Sequence, residues 1–369
     1  MSQKIDAHAY YRQITEIDIG EVARELLGER IQQESDRLIQ CDCPHHKSQS
    51  HRSLHIAIDK QLWHCFGCGV GGDVLQLVEF VRFGQVTRGI SGPMPESHRQ
   101  ARDYLAARVG LRPLSSPGCV SMEKAEEEHR LTLRVREVLT ALAEIYHQRL
   151  LANAEVLAWF RAKYGIGDEM IEQLKIGYAD DTTSSAARQL MNGPQAFMPH
   201  ELAASSAFLP TAQDHLRPFF NNRIVFPYWS RGRVVYMIGR KTPWTPENNW
   251  EGGKYTKLAV RNEANRKHVA ACIRNDVLYN EDVLLSRPER VIITEGVTDC
   301  ISLMEHGFAA VSPATVNIRE EDWERLLPRL RNVKTVYICQ DNELSEAGLQ
   351  GAMKTARRLA EHGTVARVA

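Results

Sequence analysis

Two apolar runs that end in carboxylates constrain this chain more than any other feature. Val291-Ile292-Ile293-Thr294 leads into Glu295-Gly296-Val297-Thr298-Asp299, and Val336-Tyr337-Ile338-Cys339 leads into Gln340-Asp341-Asn342-Glu343. Such runs suit parallel strands covered on both faces. Behind each, the pattern predicts a helix, over 298–306 and 345–362. In open α/β sheets, ligands sit beyond the carboxyl ends of the strands. Glu295, Asp341 and Glu343 would then share one crevice. Clustered carboxylates repel one another unless a cation neutralises them, and Mg²⁺ is the usual choice. The plainer alternative is two unrelated helix N-terminal acids that favour the helix dipole.

The chain has 369 residues, which predicts two or three domains. Its 46 basic and 46 acidic residues cancel, so the protein is not basic throughout, although local patches are possible. No apolar run reaches the length of a membrane span and residues 1–16 carry no signal-peptide pattern, so the chain is expected to be soluble and cytoplasmic, with no membrane partner. Four of the eight cysteines fall within residues 41–68. Clustering of that kind suggests a metal rather than a disulfide framework. Cys300 and Cys339 lie in apolar surroundings that suit buried free thiols.

Cys43-Pro44-His45-His46 and Cys65-Phe66-Gly67-Cys68 are two pairs that can close a tetrahedral Cys₃His zinc site. All four ligands are committed, so the metal reads as structural. Cys43, His46, Cys65 and Cys68 are the expected ligands, with Cys41 able to replace Cys43 and His45 able to replace His46. Between the pairs, residues 53–58 and 61–65 alternate like a hairpin turning at Asp59-Lys60. His51, His55 and His64 read as surface or hairpin histidines and Trp63 as core; Phe66 suits either core or base stacking.

Helices are expected over 17–27, 73–83 (capped by Asp73), 98–109, 123–151, 154–164 and 168–174. Residues 112–121 hold two prolines, three serines and a glycine, the composition of a linker. Strands are expected at 223–228 and 234–238 around a turn at 230–233, then at 307–311 and 364–368. Residues 217–274 carry twelve basic residues against three acidic ones, interleaved with Tyr228, Trp229, Tyr236, Trp244, Trp250 and Tyr255. A basic, aromatic surface suits a single strand of nucleic acid, whereas the alternative is a solvated sheet edge.

Taken together, these motifs resemble the bacterial DnaG-type DNA primases. Residues 43–46 and 63–73 resemble that family's CHC2-type zinc-binding domain. Ile166-Gly167, Ile176-Gly177-Tyr178-Ala179, residues 222–227, Gly239-Arg240, Lys254-Tyr255 and Leu278-Tyr279 resemble its RNA polymerase domain. Residues 295–299 with 341–343 resemble its Toprim segment. The implied architecture is multidomain α+β and α/β: a zinc ribbon domain at 1–111, a linker at 112–122, the basic part of the polymerase domain at 123–285 and a Toprim subdomain at 286–369.

The resemblance implies a DNA-dependent RNA polymerase that makes short primers on a single-stranded DNA template from ribonucleoside triphosphates. It places Glu295 at the catalytic carboxylate, with Asp299, Asp341 and Glu343 at further acidic positions that hold magnesium or manganese. Asn222, Arg223, Arg240, Lys254 and Lys257 fall at template- or nucleotide-binding positions. Two departures stand out. Asp341-Asn342-Glu343 replaces the family's Asp-x-Asp, and a further acidic cluster and a helicase-binding domain expected beyond the Toprim strands are not in the sequence. On this reading the chain is a fragment or a shortened relative with an incomplete Toprim sheet. Two other readings remain open at this point: a non-catalytic single-strand-binding module and a Toprim nuclease, with a topoisomerase lacking its tyrosine domain.

Overall fold

A computed structural model describes residues 7–88, 93–114, 121–180, 185–211, 215–247, 253–315, 318–340 and 347–369. The chain forms two compact units, Met1–Arg134 and Val135–Ala369. Their division falls within one long helix, whereas the linker expected at 112–122 lies largely on residues 115–120, outside the described ones.

In the first unit, helices α1 (Ala7–Thr15) and α2 (Ile19–Leu27) precede strands β1 (Ile31–Glu34), β2 (Leu38–Cys41), β3 (Leu54–Ala57), β4 (Leu62–Cys65) and β5 (Val70–Gly72). Helices α3 (Val74–Phe83) and α4 (Glu96–Arg108) follow, and α5 (Met122–Ala152) begins here. The strands form an antiparallel meander in chain order. Ala57 faces Leu62 and Leu54 faces Cys65, so the hairpin turns at the expected place. Alternation puts Ile39, Leu54, Ile56 and Trp63 in the core. Trp63 stacks on Phe80 of α3 at 4.7 Å. Asp73 and Gln76 form a capping box at the start of α3, a feature that contributes about 1 kcal/mol. Burial alone would raise the Glu79 carboxyl, but hydrogen bonds from His98, Thr87 and Ser97 overcome it and hold the group below its ordinary range.

The second unit continues with α6 (Ala154–Tyr164), α7 (Asp168–Leu174), β6 (Gly177–Ala179), α8 (Ser185–Asn192) and α9 (Pro199–Ala204). A small ribbon, β7 (Phe208–Pro210) and β8 (Leu216–Pro218), leads to β9 (Arg223–Ser230), β10 (Arg233–Lys241) and β11 (Tyr255–Lys257). These last three strands join β6 in an antiparallel sheet of order β11-β10-β9-β6. Arg231 and Gly232 both have positive φ, 53° and 71°, so a two-residue turn of the type that matches strand twist closes the β9–β10 hairpin.

The remaining elements are β12 (Leu278–Tyr279), β13 (Arg290–Thr294), α10 (Val297–Glu305), β14 (Ala310–Pro313), α11 (Trp323–Leu330), β15 (Thr335–Cys339), α12 (Ala347–Glu361) and β16 (Val365–Val368). They build a second sheet of order β12-β14-β13-β15-β16, in which β13 runs parallel to β14 and β15, and β15 parallel to β16. Val291, Ile293, Val311, Val336 and Ile338 pack with Trp323, Leu326 and Leu330 of α11. The strand expected at 307–311 begins at Ala310 instead, because Gly307 adopts φ +79° and closes the turn after α10.

Polar contacts tie the two sheets together. Asp282 Oδ2 accepts a hydrogen bond from the Arg231 amide at 2.6 Å, at the tip of the β9–β10 hairpin. Tyr228 of β9 meets Tyr279 of β12 edge to face at 5.1 Å. Glu281, 3% exposed, is held by the guanidinia of Arg325 and Arg329 and accepts from the Leu278 amide at 3.0 Å.

Candidate metal centre and catalytic cleft

The meander brings the two Cys/His pairs together. Ligand atoms of Cys43, His46, Cys65 and Cys68 all lie within 4.8 Å of one another. The Cys43 and Cys68 sulfurs are 3.8 Å apart, and His46 Nδ1 lies 3.1 Å from the Cys68 sulfur and 3.7 Å from that of Cys65. Zinc bonded to sulfur at about 2.3 Å in a tetrahedron puts two sulfurs about 3.8 Å apart, so the donor set fits that ion. Burial and the neighbouring Cys65 and Cys43 thiols push the Cys68 thiol up to about 12. Thiols this crowded ionise only beside a compensating positive charge, which zinc supplies when bound.

Two residues left open as alternative ligands lie outside this set. His45 Nε2 lies 2.5 Å from the Phe80 carbonyl and 3.2 Å from that of Val81, donating to the end of α3. Cys41 is fully buried, and its thiol is pushed up to about 12 by burial and by the nearby Glu34 charge. Phe66 stands 66% exposed on the knuckle and is therefore not core.

In the second unit, the carboxyl end of β13 meets the basic antiparallel sheet around an open cleft of about 280 Å³. Glu295, Thr298 and Asp299 line one side, together with Pro313, Ala314 and Thr315 after β14. Arg240, Lys254, Tyr255 and Lys257, from β10, β11 and the residue before it, line the other. The turn that carries Glu295 is fixed from below. Ser312 donates to the Glu295 carbonyl at 3.1 Å, and Thr294 donates to the Gly296 carbonyl at 3.0 Å. Asp299 folds back so closely that a Cβ on Gly296 would lie 2.4 Å from its Oδ2. Across the cleft, the Arg240 guanidinium sits over the rings of Tyr255 at 4.7 Å and Tyr164 at 5.7 Å. Burial lowers the Lys257 ammonium below its ordinary range. Among the described residues, Arg240, Lys254 and Lys257 pair with no carboxylate.

Of the expected site residues, the fold therefore gathers Glu295, Asp299, Arg240, Lys254 and Lys257. Arg223 lies apart from that lining. It is fully buried, and its guanidinium donates to the carbonyls of Gly253 at 3.2 Å and Gly239 at 3.4 Å, so it braces the sheet beneath the cleft instead of lining it. Asn222 likewise stays out of the lining; its carbonyl accepts from Thr242 and Thr245, each at 2.6 Å. Asp341 and Glu343 lie outside the described residues. The strand before them, β15, ends with Cys339 beside Thr294, at the same sheet edge as Glu295. Residues 313–315 were missed in the sequence; the available signal was their position just after a parallel strand.

Comparison with known proteins finds similarity along most of the chain. The family model for the CHC2 zinc finger matches residues 7–86, that for the N-terminal domain of the DNA primase catalytic core matches 145–259, and a Toprim-like model matches 292–369. The DNA primase of Enterococcus faecalis is 27% identical over 331 residues, 87% of this chain and 48% of that protein. The chain thus spans about half the length of the curated relatives it matches. The crystal structure of the zinc-binding and RNA polymerase domains of Aquifex aeolicus primase covers all of the chain, and 79% of its own length, at TM-score 0.55 and 22% identity. The RNA polymerase domain of Mycobacterium tuberculosis primase DnaG, in complex with a double-stranded DNA oligomer with a 6-nucleotide overhang, aligns at TM-score 0.53 and 18% identity over 64% of this chain and 72% of that one. With zinc ribbon, primase core and Toprim-like segments in this order on one polypeptide, the chain is similar to the DnaG-type primases along most of its length.

Proposed function

We propose that this protein is a DNA primase, joining ribonucleotides into short primers on single-stranded DNA. The observation that carries the reading is the cleft, which sets Glu295 and Asp299 opposite Arg240, Lys254 and Lys257. Nucleotidyl transfer needs both walls. Cations hold the polyphosphate, and carboxylates hold divalent metal at the reacting phosphate. Glu295, with Asp341 and Glu343, would hold magnesium or manganese, which would supply a lowered pKa at the attacking hydroxyl and charge neutralisation at the phosphates.

The chain's own residues supply the rest. Ser312 and Thr294 hold the Glu295 turn rigid, so its carboxylate is positioned before substrate arrives. Tyr164 and Tyr255 fix the Arg240 guanidinium between them, and it binds phosphate oxygens with little rotamer entropy left to lose. Lys254 and Lys257 add charge along the same wall. The zinc centre stabilises the first unit, which the resemblance associates with template recognition. A replicative helicase as partner belongs to the same proposal and rests on the family resemblance alone.

The test is incorporation of labelled ribonucleotides on single-stranded templates of varied sequence, with Mg²⁺ or Mn²⁺. Dinucleotide and longer products that disappear in Glu295→Gln support the reading. Salt-sensitive binding without product, on every template and with either metal, would overturn it in favour of a non-catalytic binding module. Shortening of a labelled strand would point to a nuclease.

A further inference from the structure

A line of rings and cations leaves the cleft along the face of the basic sheet. Tyr255 and Tyr164 flank Arg240. Beyond Tyr164 comes Trp159, edge to face at 6.1 Å, with the Lys163 ammonium 5.2 Å over its ring. Beyond Trp159 comes Trp244, edge to face at 5.8 Å. Five of the six side chains are partly exposed and Lys163 is exposed. Core packing explains neither the exposure nor the cations. Lys163 and Arg240 form no ion pair with a carboxylate among the described residues. Trp244 sits on a turn locked by the Thr242 and Thr245 hydroxyls to the Asn222 carbonyl, so its ring is presented from a fixed support.

We propose that Trp159 and Trp244 are a stacking platform for bases of single-stranded DNA on its way to or from the cleft, with Lys163 and Arg240 taking the flanking phosphates. The inference rests on the primase reading and adds to it a site on α6 and on the turn after β10 that lies outside the cleft lining. Aromatic faces accept any base, and alternating cations match the charge of the backbone between bases. The platform therefore holds the strand without reading its sequence. Its energy comes from stacking, so it resists salt more than a phosphate contact does.

The experiment measures binding of fluorescent oligodeoxythymidylates of about 5 and about 16 nucleotides, lengths that bracket single-strand site sizes. The proteins are wild type, Trp159→Ala/Trp244→Ala, Trp159→Phe/Trp244→Phe and Arg240→Ala, with thermal melting as the folding control. The expected result is a loss of about tenfold or more in affinity for the longer strand in the alanine pair. The phenylalanine pair should retain affinity, and the alanine-pair loss should persist at high salt while the Arg240→Ala loss shrinks. If the alanine pair does not fold, quenching of wild-type tryptophan fluorescence by the longer strand, absent in the phenylalanine pair, is the supporting result. Wild-type affinity in a folded alanine pair, alongside weakened Arg240→Ala, overturns the platform and leaves the primase reading intact. Failure of the wild type to bind either strand overturns both.

Discussion

The ring of His46 lies directly over Gly67: a Cβ there would come within 2.0 Å of Nε2. In the sequence, the glycine of the Cys-Phe-Gly-Cys knuckle reads as a turn residue alone. The fold shows that it clears space for a ligand instead.

Gly67→Ala should therefore displace His46 and weaken zinc binding by about 10–100-fold, the usual scale for losing a group that orients a ligand. Chelator competition with a zinc indicator measures this. Unchanged zinc affinity in the variant would separate His46 from the metal.

Arg223→Met should act on stability, not on DNA affinity. It removes the donors that meet the Gly239 and Gly253 carbonyls beneath the sheet. Losing both donors, one of which meets a buried carbonyl, predicts a loss of about 1–3 kcal/mol by denaturant unfolding. At a temperature where the variant is folded, single-strand affinity should stay within about twofold of wild type, less than the loss usual for removing one charged contact.

This residue also marks where sequence reading stops. Arg223 and Arg240 are both arginines on adjacent strands, and nothing in the one-dimensional pattern separates them. In β9 six consecutive residues from Arg223 are buried, so no alternation signals which face is covered. Elsewhere the pattern was strong. Helices α6 and α7 begin and end where expected, with Asn153 capping α6 and Gly165 at φ +65° stopping it. Strands β13 and β15 followed from their apolar runs, and they pair in parallel. Helix α11 escaped notice because Pro328 interrupts it, although Trp323, Leu326 and Leu330 keep a helical spacing. The three-residue strands β7 and β8 carry too little pattern to be read at all. For the cleft, the chemistry was legible but the partition between lining and bracing residues was not, because it depends on which face each strand turns towards its neighbour.

Glu281→Gln should destabilise the second unit strongly. Burial alone would raise the Glu281 carboxyl, but Arg329 and Arg325 overcome it and hold the group below its ordinary range. Neutralising it removes the buried carboxylate that the Arg325 and Arg329 guanidinia share. Removing one partner of a buried ion network costs about 3–5 kcal/mol. Thermal melting checks this, and a shift of less than about 2 °C, well below that cost, would count against it.

Asp282→Asn should stabilise the protein near neutral pH. Burial, partly offset by the Arg231 amide and charge, pushes this carboxyl from 3.8 up to about 6. Its Oδ1 has no hydrogen-bond partner among the described residues. The folded state holds the proton more tightly than the unfolded chain does. Stability is therefore lost as pH rises from about 4 to about 6 and is level above that. The asparagine escapes this loss and keeps an oxygen for the Arg231 amide. The variant should gain on the order of 2 kcal/mol at pH 7.5, shrinking towards zero near pH 4. Urea unfolding across that range measures the difference, and a gain independent of pH would show that ionisation is not its source.

The strand order β12-β14-β13-β15-β16 has a consequence for the newborn chain. The earliest of the parallel strands, β13, sits in the middle, and its neighbours come from residues 310–313 and 335–339. The sheet edge around Glu295 therefore waits for partners that arrive later from both sides. The β9–β10 hairpin needs only its two-residue turn. Local pairing closes in microseconds, whereas parallel pairing across long loops is slow. During synthesis the basic wall is thus exposed first, able to attract a polyanion before the acidic wall exists to act on it. Premature capture of nucleic acid is the hazard this topology creates, and the sheet of Glu295 is what closes that interval.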